Sequence, residues 1–414
     1  MPMHGQPDAK TRERIRDIPI YRDSLERGHF PILEKTEIAR GFPENWMTPR
    51  LAEALEAGEA EFVLSTGTNH ARMQLIRPPY FLLKSYYRLW SEHPDIAHTW
   101  REQCKRVSLT TVLATEHIAR VNAKKHGTQP DARPALADRW LDERTVYLNL
   151  DLDPALWDRP TVERMLEEIS LVAASLPSGN YHLDCSSYHL AHLVRKVDEW
   201  GLWSRFPAPA SIIHAYEFTP ANVRRFLGRF FDCAIIDLFG STELGYLYYS
   251  DRNGNYHPFL EEMGVELVPV APGSTIHSII VSSVRNPYMP LIRYRSGDCA
   301  RTRDGSADPA RITQFCGREK ELLWPDNGLG PVSQGDLDGW ISATSPDIFT
   351  YRLHTDGKSA VLRYTSFDGF AIEQSDIETL RAKFRNETGI PCQLEHAAHI
   401  PIGTSGKYAW IANE

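Results

Sequence analysis

Apolar residues recur at helical spacing along much of this chain and then give way to short β-rich runs that stop at glycine. From Thr161 to Leu176, Met165, Leu166, Ile169, Val172 and Ala173 share one face, which predicts an amphipathic helix. Thr219-Pro220 reads as a cap and first-turn pair for a helix burying Val223, Phe226, Leu227 and Phe230. "CAIIDLF" follows at once as a strand ending at Gly240. "YHLDCSSYHLAHL" predicts a Ser-capped helix with Leu190, Leu193, Val194 and Val197 on its apolar face. "IHSIIVSSV" (276–284) reads as a strand, "TRDGSADPAR" (302–311) as a hairpin or loop, and "ARPALADRW" (132–140) as a loop. Helix, strand and glycine loop in alternation predict an α/β layer, with ligands gathered beyond the carboxyl ends of its strands.

After about Lys320 the pattern changes. "YRLHTDGKSAVLRYTSF" alternates as two strands about a Thr-Asp-Gly-Lys turn. Ser375 to Thr388 predicts a helix with a Ser375 to Glu378 capping box, a stripe of Ile377, Leu380 and Phe384, and Gly389 just past its end. "CQLEHAAHI" supplies a last strand. The expected division is therefore residues 1–319, a large α/β domain of mixed sheets and helices, and residues 320–414, a small α+β domain.

Composition narrows the function classes. At 414 residues the chain exceeds one ordinary core. Its 42% hydrophobic and 24% charged content is that of a globular protein, while a net charge of −8 disfavours a nucleic-acid groove or an anionic membrane as partner. The polar start, MPMHGQPDAKTRERIRD, does not read as a secretory signal, and no apolar run approaches the ~20 residues that span a bilayer. A cytoplasmic location is expected, with reduced cysteines. His182, Cys185, His189 and His192 have the spacing of a zinc site, although the helix needs no metal to explain them.

Several separated stretches carry polar groups that suit a phosphate-bearing ligand. In "FVLSTGTNHAR" (62–72) a strand runs into Ser65, Thr66, Gly67 and Thr68, whose hydroxyls and backbone N–H groups can wrap a polyphosphate but also form ordinary turns. In "DLFGSTELG" (237–245) Gly240 admits a close backbone approach, and Thr242 and Glu243 offer a hydroxyl for phosphate and a carboxylate for Mg²⁺. Asp298 of "LIRYRSGD" can accept both hydrogen bonds of a ribose diol, or mark a charged hairpin turn. Arg318 of "CGREKELL" can meet a ribose or phosphate, or belong to a surface charge run. "PIGTSGKYAW" (401–410) contains a Ser-Gly-Lys that is no P-loop: Tyr408 stands where Ser or Thr must hold Mg²⁺, and no glycine lies five residues before Gly406.

In this order, S-T-G-T, F-G-S-T-E, Y-R-S-G-D, G-R-x-K and S-G-K resemble the core motifs of the adenylate-forming superfamily of acyl- and aryl-coenzyme A synthetases, peptide-synthetase adenylation domains and luciferases. The phenylacetate–coenzyme A ligase branch is the most similar, with "FPILEKTEI", "CSSYHLA" and "HAYEFTP" as further counterparts, so the resemblance covers most of residues 20–410. It implies an enzyme that converts a small carboxylic acid, aromatic in this branch, and MgATP to an acyl-adenylate and pyrophosphate, then transfers the acyl group to coenzyme A or another thiol, or to an amine. It implies that Ser65, Thr66, Gly67, Thr68 and Arg72 contact the phosphates, that Tyr216 and Glu217 flank adenine, and that Thr242 binds the α-phosphate beside Phe239, Gly240 and Ser241. Glu243 would hold Mg²⁺, and Asp298 and Arg318 the ribose. Tyr188, His189 and Tyr246 would wall the acid pocket. Lys320 would be the hinge, and Lys407 the lysine that the small domain swings into the site.

The chain also departs from the family pattern. Asn69 and His70 replace Thr and Gly in the phosphate loop, Met73 stands in place of its usual lysine, and "WPDNGLGPVSQGD" is longer than the segment that normally helps admit the pantetheine thiol. An alternative is thus a non-catalytic relative that binds a nucleotide or acyl ligand. Glu243, Asp298 and Lys407 argue for catalysis, since a binder needs no swinging lysine.

Overall fold

The computed structural model describes residues 6–64, 73–260, 262–325 and 330–413. It is a mixed α/β protein that divides into two compact units. The first comprises Met1–Leu89, Phe239–Tyr249 and Asn255–Leu322; the second comprises Trp90–Leu238, Ser250–Gly254 and Leu323–Glu414. The change at Leu322/Leu323 lies three residues beyond the division expected at 319/320, and the C-terminal segment belongs to one unit with residues 90–238.

In the first unit, Met263–Pro269, Ile276–Ser283, Leu291–Thr302 and Ile312–Arg318 form an antiparallel four-stranded sheet in chain order. A two-stranded ribbon, Glu61–Leu64 with Gln74–Arg77, accompanies it. Trp46, Tyr21, Phe30, Tyr248, Ile279 and Tyr294 are among the side chains that fill its core, removing apolar surface from water. "LIRYRSGD" is the body of a twelve-residue strand rather than a hairpin turn; of the hairpin or loop expected at 302–311, Thr302 still belongs to this strand and Pro309–Arg311 forms a 3₁₀ turn.

The second unit is built on five parallel strands in the order Thr145–Tyr147, Lys105–Leu109, Tyr181–Cys185, Ser211–His214 and Ile235–Ser241. The last of these carries the chain on into the first unit. The flanking helices match the apolar pattern, while their caps differ in detail. Asp158 caps Arg159–Ala174 by accepting from Thr161 N–H at 2.9 Å, and Ser186 caps Ser187–Glu199. The helix expected from Thr219 starts at Ala221 and ends at Leu227; its first N–H is taken by Asp338 at 2.9 Å, a cap supplied from 117 residues away. The expected loop at 132–140 holds a 3₁₀ turn, Leu136–Arg139, anchored by Arg139, which is buried and ion-paired to Glu168.

Within the same unit a four-stranded sheet runs Cys392–His396, Ala360–Ser366, Ile348–Thr355, Ile411–Asn413, and includes the expected hairpin. The Gln374–Thr388 helix ends at Gly389 with φ +73°, as expected. Its N-cap is Glu373, so Ser375 is already helical and forms no capping box; its carbonyl accepts from Thr379 Oγ1. No helix among the described residues is long and apolar enough to cross a membrane.

Candidate active site

Two clusters, one in each unit, gather most of the residues singled out from the sequence. In the first unit the chain passes from Phe239–Ser241 through a tight turn into the strand Gly245–Ser250. A Cβ on Gly240 would lie 2.3 Å from the Gly245 carbonyl oxygen and 2.7 Å from Tyr246 Cα, so only glycine fits. Gly245 has φ +78°, and Tyr246 N–H donates to Ser85 Oγ at 3.2 Å. Glu243 is thereby held almost buried, with Oε1 accepting from the Tyr294 hydroxyl at 2.9 Å. Burial, reinforced by the adjacent Glu243 charge, pushes the Tyr294 hydroxyl far up, so it stays a donor. Ser241 Oγ is buried and has no hydrogen-bond partner among the described residues, which leaves a polar group for a ligand to satisfy.

Asp298 and Arg318 face each other in register on neighbouring strands, and Arg318 Nε lies 3.2 Å from Asp298 Oδ1. Burial raises the Asp298 carboxyl to about 6; Arg318 opposes this shift and the Glu243 charge adds to it. Arg318 in turn is raised chiefly by Asp298 and further by Glu243. Glu243, Asp298, Arg318 and Tyr294 thus form one electrostatic cluster. A carboxylate with one oxygen on a phenol still has lone pairs for a hard divalent cation, and an ionised Asp beside Arg can accept from paired hydroxyls.

In the second unit, Lys407 lies on the loop 401–410 between the last two strands. Gly406 has φ +67°, and a Cβ there would sit 1.9 Å from Thr111 Oγ1, so the loop backbone rests directly on Thr111. Thr111 Oγ1 donates to the Ser405 carbonyl at 3.3 Å. Asp153 accepts from Ile402 N–H at 3.2 Å and contacts His399 Nε2 at 2.9 Å. Glu217 bridges the loop to the Ser187–Glu199 helix: one oxygen accepts from Tyr408 N–H and the other from Tyr188 N–H, each at 3.2 Å. The Tyr188 and Tyr408 rings stack with centroids 4.4 Å apart. Burial raises the Glu217 carboxyl, while its hydrogen bonds and the charge of Lys407 pull it back toward the ionised form.

No protein-family profile and no curated protein matches this chain. Solved structures do. A 2-hydroxyisobutyryl-coenzyme A ligase in its postadenylation state, complexed with R3-HIB-AMP, aligns over 98% of this chain and 87% of its own length, with TM-score 0.64 and 12% identity. The same ligase in its thioesterification state, with 2-HIB-AMP and coenzyme A, covers the same shares at TM-score 0.51 and 12% identity. ATP-bound MatB from Rhodopseudomonas palustris aligns over 83% of this chain and 65% of its own, at TM-score 0.51 and 13% identity. The chain has the fold of the acyl-coenzyme A ligases of the adenylate-forming superfamily.

Other expected site residues take identifiable places in this fold. Tyr216 has φ +79°, and its hydroxyl donates to Asp184, which is also ion-paired to Arg106 at 2.5 Å. His189 bonds Ser186 Oγ through Nδ1 at 2.6 Å; burial lowers it to about 3, which keeps it neutral. Tyr246 packs edge-on against Tyr86, and Phe239 stacks on Phe315 at 3.8 Å. Lys320 sits within the 3₁₀ turn Glu319–Glu321. Ser65, Thr66, Gly67, Thr68 and Arg72 lie outside the described residues. Among the described residues no cluster of three or more metal-binding side chains occurs, and His182 is engaged by Ser211 Oγ at 2.7 Å and stacked on Trp90. Sequence reasoning passed over Thr111, Asp153 and Tyr294. Only Tyr294 left a signal, since it stands inside the Y-R-S-G-D motif.

Proposed function

We propose that this protein is an ATP-dependent acid–coenzyme A ligase, activating a carboxylic acid as its acyl-adenylate with release of pyrophosphate and passing the acyl group to the coenzyme A thiol. The observation that carries the reading is the Asp298, Arg318 and Glu243 cluster in a fold shared with such ligases. In this reading Asp298, oriented by Arg318, accepts from the ribose hydroxyls, and Thr242 with Ser241 donates to the α-phosphate. The Ser65 to Thr68 loop and Arg72 hold the outer phosphates, and Tyr216 and Glu217 border adenine. Glu243 fits a Mg²⁺ ligand, and the cation when bound would neutralise phosphate charge. Lys407 supplies a positioned ammonium as the acid carboxylate attacks the α-phosphorus and pyrophosphate departs. Residues 320–414 act as a small mobile domain hinged at Lys320, on the strength of the motif resemblance.

The acid is small and aromatic, walled by Tyr188, His189 and Tyr246, on the strength of the motif resemblance. A panel of carboxylic acids scored by pyrophosphate release, with and without coenzyme A or simple amines, tests the reading. Acid-dependent release with aryl acids, and thioester formation with coenzyme A, are expected. A second reading, a nucleotide-binding relative without turnover, is favoured by Asn69 and His70 in the phosphate loop. MgATP binding with no acid-dependent pyrophosphate release would establish it and overturn the ligase.

A further inference from the structure

A cavity of about 230 Å³ lies within the second unit, between the far half of the Ser187–Glu199 helix and the C-terminal segment. His192, Arg195, Lys196 and Glu199 line it from the helix, and Thr350 and His399 are among those that close it from the other side. Three features set it apart from an ordinary packing gap. His192 is buried, and its Nε2 has no hydrogen-bond partner among the described residues. A buried polar nitrogen left so costs stability unless something satisfies it. Among the described residues Arg195 and Lys196 form no ion pair; their charged ends lie instead over the Phe349 and Trp200 rings, at 5.3 Å each. Burial lowers both cations; of the residues lining the cavity only Glu199 is a carboxylate opposing them, while beyond the lining Asp368 also acts on Arg195, and Asp153 and Asp158 on Lys196. His399, which also lines the cavity, contacts Asp153.

We propose that this cavity binds a small phosphate-bearing anion, held by Arg195 and Lys196 with His192 as a third donor, and that its occupancy holds residues 323–414 against the Ser187–Glu199 helix. The donor set suits a tetrahedral oxyanion: residues bearing a planar fork, a compact ammonium and a neutral imidazole all line one volume. Burial keeps His192 uncharged, so it contributes a hydrogen bond from Nε2–H. Because Thr350 and His399 come from the C-terminal segment, the cavity exists only while that segment lies where it does here. A ligand that binds one arrangement shifts the population toward it. This second half rests on the proposed movement of the small domain; the binding half does not.

The test is equilibrium binding of inorganic phosphate to the full chain without nucleotide, by calorimetry. Saturable binding is expected, weakened roughly tenfold or more in Arg195→Ala/Lys196→Ala because charged donors are lost, and unchanged in Lys407→Ala. The single Lys196→Gln variant provides the same readout if the double variant does not fold. No saturable binding, or binding indifferent to Arg195 and Lys196 but abolished by Lys407→Ala, would overturn the site. For the second half, phosphate should slow thioester formation relative to pyrophosphate exchange in the wild type and not in the double variant. Cavity binding without that effect overturns the coupling alone. Cavity binding in a protein that activates no acid overturns the ligase reading and leaves the site standing.

Discussion

The two clusters of candidate catalytic residues are held by different kinds of structure. Asp298 and Arg318 stand on paired strands, and Glu243 is fixed by a glycine-pinched turn and by Tyr294 of the same sheet. Lys407 rides on a loop whose position comes from Thr111, Asp153 and Glu217, which are hundreds of residues distant in sequence. A sheet ladder gives up its geometry only when the sheet opens. Arg352, within the C-terminal segment, also holds the loop by donating to the Pro401 and Ala409 carbonyls, but the hydrogen bonds to Thr111, Asp153 and Glu217 can be exchanged for others at little net cost, since each contributes only about 0.5–1.5 kcal/mol. The first arrangement suits binding a ground state. The second suits a group needed in one step and withdrawn in the next.

The sharpest break in this comparison is Lys407→Ala. Removing the charge proposed to act on the transition state should lower the rate of adenylate formation by on the order of 10² or more while MgATP binding stays near normal. Single-turnover adenylation beside nucleotide titration separates the two, and an unchanged rate would remove Lys407 from catalysis.

Gly406→Ala attacks the seating of the lysine rather than the lysine. The new Cβ meets Thr111, so the loop must lift, and a displacement near 1 Å can cost on the order of 10-fold to 10²-fold. Thr111→Gly in the same chain should restore part of the rate, measured as a double-mutant cycle. Additive losses would mean that the contact does not set the position of Lys407.

Lys320→Pro asks whether the second cluster must move. The second residue of a 3₁₀ turn accepts proline, so the variant should fold. Pyrophosphate exchange should persist, while thioester formation falls roughly tenfold or more as φ is locked. Equal loss of both, or of neither, would place the pivot elsewhere.

The mildest effect belongs to the rigid cluster. The folded-state value of Asp298, about 6, exceeds the ordinary 3.8 because of burial. The unfolded chain therefore binds fewer protons between these values, and Asp298 costs the free protein stability as pH rises through that window. Lowering pH from 7 to 5 should stabilise the free protein through this group while weakening MgATP binding a few-fold, as the proposed ribose acceptor becomes protonated. Thermal melts and nucleotide titrations in the wild type and Asp298→Ala follow the two opposite trends. An Asp298→Ala variant with an unaltered pH profile would exclude the carboxylate as their source.

F-G-S-T-E runs off the end of a strand, with Thr242 and Glu243 in the turn after Ser241, Y-R-S-G-D lies on a strand, and S-G-K lies on a loop; the residue types needed at Gly240, Glu243 and Asp298 follow from chemistry that adjacent residues already display. Ser375 shows the opposite case, because its capping-box spacing was satisfied in sequence while Glu373 took the cap in space. Arg139 was hidden for another reason: only a buried partner, Glu168, distinguishes it from any polar residue in a loop.

Local sequence determined which segments form helices and strands, where glycine is required, and which residue types can meet a nucleotide, because these depend on period, backbone sterics and side-chain chemistry within a few residues. Tertiary structure alone decided that Asp338 caps a helix 117 residues earlier, that Glu217 joins Tyr188 to Tyr408, and that His192, Arg195 and Lys196 share a cavity with Thr350. Those facts depend on distances between segments far apart in the chain, which no local pattern of residues encodes.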